Sequence, residues 1–443
     1  MPGRVAVVLI ATASFGRPKT DMGKAQTRAV AWLALLLGSS TCVFALDPSL
    51  DVSQYAHTAW KIRDGFTRDP INSMAQMPDG YLWLGTGSGL FRFDGAQLAP
   101  WSPPAGEQFP GDSIRSLLAG SDGTLWLATP QGLASWKDGK LTVSPGLVGQ
   151  EISSLLQDVE GTVWVGVRDP GRLCAIRAGQ MQCYGAGTFG NAVIALYQDH
   201  KGNLWVSAQT GVWRWAPGPP EHFRLPGGKV EATALIEGDG GELLMATSIP
   251  GRATTTGAIE GLKQLADGKI TSYAPPGFAG HFRPKCLLHS SDGSLWIGTV
   301  QGLLHVYRGR IDRFAAADGL SGDVVMRIFE DREGNIWVGT EGGLDRFREF
   351  TVSAVSRDQG LSNSSVHLVE STPDGSIWIG TADGLNRWQN GQVTVYGRQT
   401  DLGERPQRDE QGLSISRSVR DIANSGLPGT PRSLGKDDWG RLW

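Results

Sequence analysis

The sequence predicts an all-β protein, a β-propeller of four-stranded antiparallel blades, and two observations lead to that fold class. A tryptophan-centred segment recurs along the chain at spacings of 38 to 43 residues, with a single spacing of 52. About 40 residues is the length of one four-stranded propeller blade. Glycine makes up 61 of the 443 residues, beside 24 prolines. That composition indicates many short strands joined by tight turns.

The recurring segment has the form Asp-Gly-x-Leu-Trp-x-Gly-Thr-x-x-Gly-Leu. The fullest copies lie at 79–90, 292–303, 333–344 and 374–385, whereas the copies that begin at 122, 160, 201 and 240 depart from the pattern by one or two substitutions. The repeated tryptophans are Trp83, Trp126, Trp164, Trp205, Trp296, Trp337 and Trp378. Leu244 takes the tryptophan position in one copy. Because a lone four-stranded sheet has two faces to bury, these tryptophans are predicted to form the core between blades.

Each copy can be divided into four strands. An apolar segment such as 114–118 or 324–329 predicts the first strand, and Leu-Trp-Leu-Gly-Thr alternates as the second. The Gly-Leu pair begins the third strand, and a two-residue turn leads into the fourth. These turns are Asp94-Gly95, Asp138-Gly139, Ala178-Gly179, Asp267-Gly268, Arg308-Gly309 and Asn390-Gly391. Such dipeptides favour the positive φ angles of tight hairpins, so each blade is predicted to be an antiparallel meander.

The repeats set the domain boundaries. Residues 46–70 are predicted to carry a ring-closing strand around Trp60 to Phe66, because a propeller closes when an outer strand from one end completes the blade at the other. Residues 71–355 form repeats one to seven and 356–396 an eighth. A linker or insertion follows at 397–431, and a truncated ninth repeat at 432–443. Seven blades are predicted, with a single eight-bladed ring as the alternative, and the chain is expected to be a fragment of a longer protein.

Residues 1–45 are predicted to be a secretory signal peptide. Lys24 and Arg28 precede an apolar run from Ala29 to Leu37, and Val43-Phe44-Ala45 fits the small-residue cleavage rule. Met22 is an alternative start. The apolar run is shorter than the ~20 residues that a membrane-spanning helix needs, so cleavage is favoured over a retained anchor. The mature protein is therefore expected in the periplasm.

Charge and histidine placement argue against several function classes. There are 41 basic and 44 acidic residues, a net charge of -3, without a basic block. This balance excludes a nucleic-acid partner whose binding depends on neutralised phosphates. The seven histidines occupy unlike positions in their repeats, and no pair has metal-ligand spacing. We therefore expect no catalytic residue, metal or cofactor.

The repeats resemble those of the two-component regulator propeller family, and the resemblance covers residues 54–443. It implies a periplasmic sensor region of a transmembrane signalling protein, commonly a histidine kinase and sometimes a diguanylate cyclase. It also implies partners in the C-terminal membrane and output domains of the same full-length protein, and a homodimer formed through those regions. No output module is present in these residues. A streptogramin-lyase-like enzyme and a non-catalytic interaction scaffold remain as alternatives.

A ligand-sensing function requires a site, and the topology predicts where it lies. The connections between blades share one face of the ring with the connections from second to third strands, and we call this the loop face. A small molecule or an oligosaccharide is the expected ligand, bound by aromatic, basic and polar side chains on that face. The candidates are Trp101, Phe189, His281, Phe282 and Arg283 in connections, and Asn72, Arg115, Lys285 and His367 at equivalent positions where the first strands begin.

Cys174 and Cys183 stand at mirror positions around the predicted Ala178-Gly179 hairpin turn. Directly opposed residues in an antiparallel pair bring their side chains close together. An oxidising periplasm would therefore favour a disulfide between them. Cys286 lacks a partner and is predicted to be buried.

Overall fold

The computed structural model describes residues 46–185, 187–227, 230–249, 261–275, 283–349, 355–372, 374–389 and 392–397. The predicted signal peptide, the candidates His281 and Phe282, the Asn390-Gly391 turn, and nearly all of the linker and ninth repeat lie outside these residues. The described chain forms eight four-stranded antiparallel sheets and five short 3-10 helices, which confirms the all-β fold class. No helix in these ranges is long and apolar enough to cross a bilayer.

The strands follow the repeats closely, and seven of the sheets are blades of one ring. Blade 1 contains β2 Ile71–Gln76, β3 Leu82–Thr86, β4 Gly89–Phe93 and β5 Leu98–Trp101. Blade 2 contains β6 Ser116–Ala119, β7 Leu125–Thr129, β8 Gly132–Lys137 and β9 Lys140–Val143. Blade 3 contains β10 Glu151–Gln157, β11 Val163–Arg168, β12 Arg172–Arg177 and β13 Gln180–Tyr184. Blade 4 contains β14 Val193–Gln198, β15 Leu204–Ala208, β16 Gly211–Ala216 and β17 Glu221–Phe223.

The remaining sheets have the same order. Blade 5 contains β18 Glu231–Glu237, β19 Leu243–Ser248, β20 Gly261–Ala266 and β21 Lys269–Ser272. Blade 6 contains β22 Pro284–His289, β23 Leu295–Thr299, β24 Gly302–Tyr307 and β25 Arg310–Phe314. Blade 7 contains β26 Val325–Glu330, β27 Ile336–Thr340, β28 Gly343–Arg348 and the N-terminal strand β1 Ala56–Lys61. The eighth sheet contains β29 Val366–Ser371, β30 Ile377–Thr381, β31 Gly384–Gln389 and β32 Gln392–Gly397.

The ring closes between blade 7 and blade 1. The first strands of consecutive blades pack in order from β2 to β26, and β26 and β27 pack against β2. Strand β1 pairs with β28 and so supplies the fourth strand of blade 7. This strand lies slightly earlier than the sequence indicates. It ends at Lys61 because Ile62–Asp64 forms a 3-10 turn, which Gly65 ends at φ 88°.

The glycine of the Trp-x-Gly-Thr motif marks the contact between blades. A Cβ at Gly85 would lie 2.6 Å from Ile114 Cγ2 in blade 2, so a side chain does not fit. A Cβ at Gly339 of blade 7 would meet Ile71 of blade 1 at 3.2 Å. The interface between blades 7 and 1 therefore has the same glycine contact as the interface between blades 1 and 2, which shows that the ring closes there. The eighth sheet lies outside this closed ring.

The opposite face, which holds the hairpin turns, carries polar clasps between blades. Gln76 Oε1 at the end of β2 accepts a hydrogen bond of 2.9 Å from the backbone N–H of Arg332 in blade 7. The last residues of other first strands bind the preceding blade in the same way. These are Gln157 to Ser121, Gln198 to Val159, Glu237 to His200 and Glu330 to Ser291. We call this side of the ring the turn face.

The repeated tryptophans pack inside the sheets and between them. Trp83, Trp296, Trp337 and Trp378 are buried, and the other three are half-buried within apolar clusters. Trp337 Nε1 donates to Asp331 Oδ2 at 2.7 Å, which satisfies the polar atom of a buried indole. Trp164 and Trp205 make the same bond to Asp158 and Asp199. The repeated tryptophans are therefore core residues of the blades.

The tight hairpins lie largely where the dipeptides predict them. Asp138, Ala178, Asp267 and Arg308 have φ angles of 46° to 50°, each followed by a positive-φ glycine. Asp94-Gly95 is an exception, because β4 ends at Phe93 and β5 begins at Leu98. The Asp94 carboxylate accepts hydrogen bonds from the N–H groups of Ala96 and Gln97, which stabilises a four-residue loop.

The Ala178-Gly179 hairpin sets Cys174 opposite Cys183 in the register of β12 and β13. Their sulfurs form a disulfide, with Cα atoms 4.0 Å apart. Cys286 is buried and free, and burial raises the pKa of its thiol to about 11.

Candidate functional site

The first strand of every ring blade begins with a β-bulge at the loop face. The register skips one residue in each of six blades, and the skipped residues are Asn72, Ser153, Ile194, Thr233, Lys285 and Met326. In blade 2 the N–H of Arg115 donates to the carbonyl of Ala128, which is also the partner of Ser116. A bulge leaves its extra residue out of the ladder. We call these seven residues the inner rim.

Side chains of the inner rim connect one blade to the next. Asn72 Nδ2 donates to the carbonyl of Ile114 at 3.2 Å. Ser153 Oγ donates to the carbonyl of Val193, and Thr233 Oγ1 donates to the carbonyl of Lys285 at 3.1 Å. Lys285 Nζ in turn lies 3.4 Å from Met326 Sδ. The rim is therefore a belt of contacts around the space that the seven first strands surround.

The charge on this belt is positive. Arg115 is exposed and Lys285 is half-buried. Burial lowers the pKa of the Lys285 ammonium, and the nearby Arg327 and Arg283 act in the same direction. Carboxylates in the described first strands of the ring lie only at the strand ends. They are Glu151 and Glu231 at the loop end, and Glu237 and Glu330 in the clasps of the turn face.

Three sequence candidates, Asn72, Arg115 and Lys285, thus lie on one structural feature. His367 does not join them. It is the bulge residue of β29, between Val366 and Leu368, and is exposed in the eighth sheet outside the ring. His367 has the predicted position within its repeat. Whether its repeat belongs to the ring depends on how many blades close the ring, and the repeat pattern does not reveal that number.

The two aromatic candidates among the described residues, Phe189 and Trp101, are packed into the protein. Phe189 is fully buried, with its ring centroid 5.9 Å from that of Trp213 and 5.2 Å from that of Trp215. Its ring is buried against these two indoles and leaves no open face on which a ligand could stack. Trp101 is half-buried at the end of β5 and packs against Trp83, Phe109 and Trp136. Arg283 precedes β22, where its carbonyl accepts from the N–H of Val300 at 3.2 Å.

The Gly-Thr-x-x-Gly turns of the loop face have a structural role. Thr86 Oγ1 donates to the carbonyl of Gly89 at 3.1 Å, and Thr129 and Thr299 bond Gly132 and Gly302 in the same way. The hydroxyl closes the turn between second and third strands. These glycine-rich turns are therefore stabilised by their own internal hydrogen bonds and do not have the form of anion-binding loops.

Two cavities of the described residues border blade 7, one at its seam with blade 1 and the other beside the connection from blade 6. One, of about 200 Å³, is on the turn face between Phe93, Asp94, Glu333 and Arg346. The other, of about 430 Å³, is on the loop face between Lys61, Arg63, Ser321 and Glu341. Across the described ranges, no three His, Cys, Asp or Glu side chains gather as a metal site.

One rim-associated residue escapes the sequence reasoning. Arg327 follows the bulge residue Met326 in β26, is exposed, and faces Gly339 across the ladder. The signal was present, since Arg327 and Lys285 are the two cations that lie within described first strands of the ring. The sequence does not show that Arg327 lies beside the inner rim, because that position depends on the β-bulge at Met326.

Three segments of the chain match a family model described as Two component regulator propeller. They are residues 108–131, 187–210 and 319–342. Each segment contains the first strand of a ring blade and a repeated tryptophan, in blades 2, 4 and 7. No curated protein sequence matches the chain.

Solved structures with a similar fold include an extracellular domain assigned to the hybrid two component system BT3049 of B. thetaiotaomicron. It has a TM-score of 0.58 at 20% identity, over 81% of this chain and 51% of that one. The extracellular domain assigned to the one component system BT4673 of the same organism has a TM-score of 0.53 at 19% identity, over 85% of this chain and 49% of that one. This chain thus spans about half the length of each domain.

Virginiamycin B lyase from Staphylococcus aureus is a third similar structure. Its TM-score is 0.52 at 14% identity, over 67% of this chain and all of that chain. At these identities the structural matches show a shared propeller fold, whereas the sequence matches of the repeats carry the family resemblance.

Proposed function

Because this chain carries repeats of the two component regulator propeller family, we propose that it is the periplasmic ligand-sensing region of a transmembrane signalling protein. The output module, of the histidine kinase type, belongs to the longer protein. The extracellular domains of the BT3049 and BT4673 systems support this assignment by their fold. In the proposed protein, ligand binding changes the relative populations of two arrangements that the output module distinguishes.

The inner rim is the observation that carries the proposal. It gathers one amide, two hydroxyls and two cations on seven equivalent bulges of the ring. Polar groups that converge on a concave, rigid surface are what a small polar ligand requires. The ligand class is a small molecule or an oligosaccharide. A homodimer through regions beyond the propeller would transmit the change.

The test is a thermal-shift screen of the full chain with small polar molecules and oligosaccharides, followed by calorimetry on the compounds that stabilise it. Asn72→Ala combined with Arg115→Gln should weaken binding at least tenfold. Lys137→Met is the matched control, because this lysine lies on an exposed hairpin and pairs with Asp122 at 2.7 Å. Equal binding by the rim variant and the wild type would refute the assignment of the site.

A lyase-like enzyme is the second candidate, because the S. aureus lyase shares the fold over its whole length. A catalytically inactive variant of that lyase has a histidine replaced by alanine. The seven rim residues include no histidine, which favours sensing. Mass analysis of a ligand recovered intact after incubation supports sensing, and conversion of that ligand would support the enzyme. Binding only of other proteins would support a scaffold.

A further inference from the structure

The two cations of the inner rim and the neighbouring Arg327 have no acidic partner within the described part of the chain. Among the described residues, Arg115, Lys285 and Arg327 form no ion pair within 4.0 Å. Lys285 Nζ contacts a thioether, and Arg327 Nη1 donates to the carbonyl of Met326 at 3.1 Å. Several exposed or half-buried cations elsewhere have a carboxylate partner at 2.7 to 2.8 Å. Examples are Lys137 with Asp122, Arg214 with Glu221 and Arg387 with Asp374.

The surroundings of Lys285 leave its charge incompletely balanced. Glu341, in the loop after β27, attracts the ammonium, while Arg327 and Arg283 repel it. Strand-end carboxylates do not compensate, because Glu237 and Glu330 are held in clasps at the other face and Glu151 faces Arg168 at 4.0 Å. A half-buried ammonium without an ion-pair partner is costly, so an arriving anion gains more there than at an exposed lysine.

The polar members of the rim restrict the ligand further. The hydroxyls of Ser153 and Thr233 donate their single protons to carbonyls, and the amide nitrogen of Asn72 also donates to a carbonyl. Toward a ligand, the oxygens of these three side chains can act as acceptors. They suit the hydroxyl groups of a ligand, whereas the cations suit its acid group.

We propose that the inner rim binds a polyhydroxylated small acid, whose carboxylate, sulfate or phosphate group is held by Lys285 with Arg327 beside it and Arg115 on the other side of the ring. Arg115 lies on blade 2 and the other two cations on blades 6 and 7, so the acid group is approached from both sides of the ring. The hydroxyls of the same ligand donate to the oxygens of Asn72, Ser153 and Thr233. This inference rests on the proposed ligand-sensing function and specifies its ligand class.

Calorimetry of the full chain with glucuronate, glucose and inorganic sulfate tests the inference, at constant ionic strength. Glucuronate and glucose differ at one carbon, where a carboxylate replaces a hydroxymethyl group. Wild type should bind glucuronate at least tenfold more tightly than glucose, and sulfate should compete. Lys285→Met should remove that preference, and Lys285→Arg should keep most of it. Met at this position is tolerated by the fold, because Met326 holds the equivalent bulge in blade 7.

The outcomes separate the two proposals. If sulfate competes with glucuronate, the site binds oxyanions in general. If glucuronate is preferred over glucose but sulfate does not compete, the site is specific for carboxylates. Either result supports the inference. If neither anion binds, or if Lys285→Met binds them as well as Lys137→Met does, the anion site is refuted. Stabilisation by neutral sugars alone, lost in Asn72→Ala, would refute the acid ligand and leave ligand sensing standing.

Discussion

The closure of the ring depends on a buried contact between the N-terminal strand and blade 7. His57 of β1 donates through its Nε2–H to Asp345 Oδ1 at 2.8 Å, and the Asp345 side chain is fully buried. The His57 ring lies between Phe314 and Phe347, at centroid distances of 5.0 and 4.8 Å. Ser321 supplies the other hydrogen bonds to the Asp345 carboxylate.

His57→Ala should therefore destabilise the ring by about 2–4 kcal/mol. A hydrogen bond to a buried charged group contributes about 1.5–3 kcal/mol, since its loss leaves the group unsatisfied. Loss of the aromatic contacts adds ~0.5–1.5 kcal/mol. Thermal unfolding followed by tryptophan fluorescence should show a midpoint lowered by about 5 °C or more.

A residue of the eighth sheet suggests a compensating substitution that tests this prediction. Asn386 occupies the position of Asp345 in its repeat and needs no histidine, because it accepts from the N–H of Ser362 at 2.9 Å and donates to the carbonyl of Ile379 at 3.2 Å. Asp345→Asn added to His57→Ala should therefore recover about 1–2 kcal/mol, since a neutral amide replaces an undercompensated carboxylate. A double variant no more stable than His57→Ala would refute the reasoning.

Three further predictions concern single sites. Reduction of Cys174–Cys183, whose residues are 9 positions apart, should lower stability by about 2–3 kcal/mol, and the intact protein should lack two thiol hydrogens by mass spectrometry. Gly85→Ala should cost ~1–3 kcal/mol because its Cβ meets Ile114, whereas Gly87→Ala, with contacts of 3.4 Å or more, should have little effect in the same urea titration. Burial lowers the pKa of Lys285, so the unfolded chain binds its proton more strongly, and wild type should gain stability relative to Lys285→Met as pH rises toward 10.5; a flat difference would contradict this. The charged and titratable groups around Lys285 are Arg327, Arg283, Glu341 and Cys286.

Much of the fold could be predicted because local residues determine it. A dipeptide such as Ala178-Gly179 fixes a tight hairpin through backbone angles alone, and that turn sets the register of Cys174 and Cys183. The Trp-x-Gly-Thr motif could be placed on the second strand by alternation. The reason why this motif needs a glycine could not be predicted, because the side chain that would collide with a Cβ at Gly85 is Ile114 of the next blade.

The candidate site was only partly predictable, because ring membership is a property of the assembled blades. Asn72 and His367 share one repeat phase, yet the first lies on the inner rim and the second on a sheet outside it. Phe189 lies in a connection, as expected, but turns inward between two indoles. Side-chain direction in loops follows from packing, which a repeat pattern does not encode.

The pairing of β1 with β28 has a consequence for how the newly synthesised chain folds. His57 and Asp345 are 288 residues apart in sequence, so β1 leaves the ribosome long before its partner strand β28 is made. Until then β1 is a solitary strand with its hydrogen-bonding edges open, and long-range pairing of this kind is slow. Newly made molecules should therefore depend on chaperones most strongly during this interval.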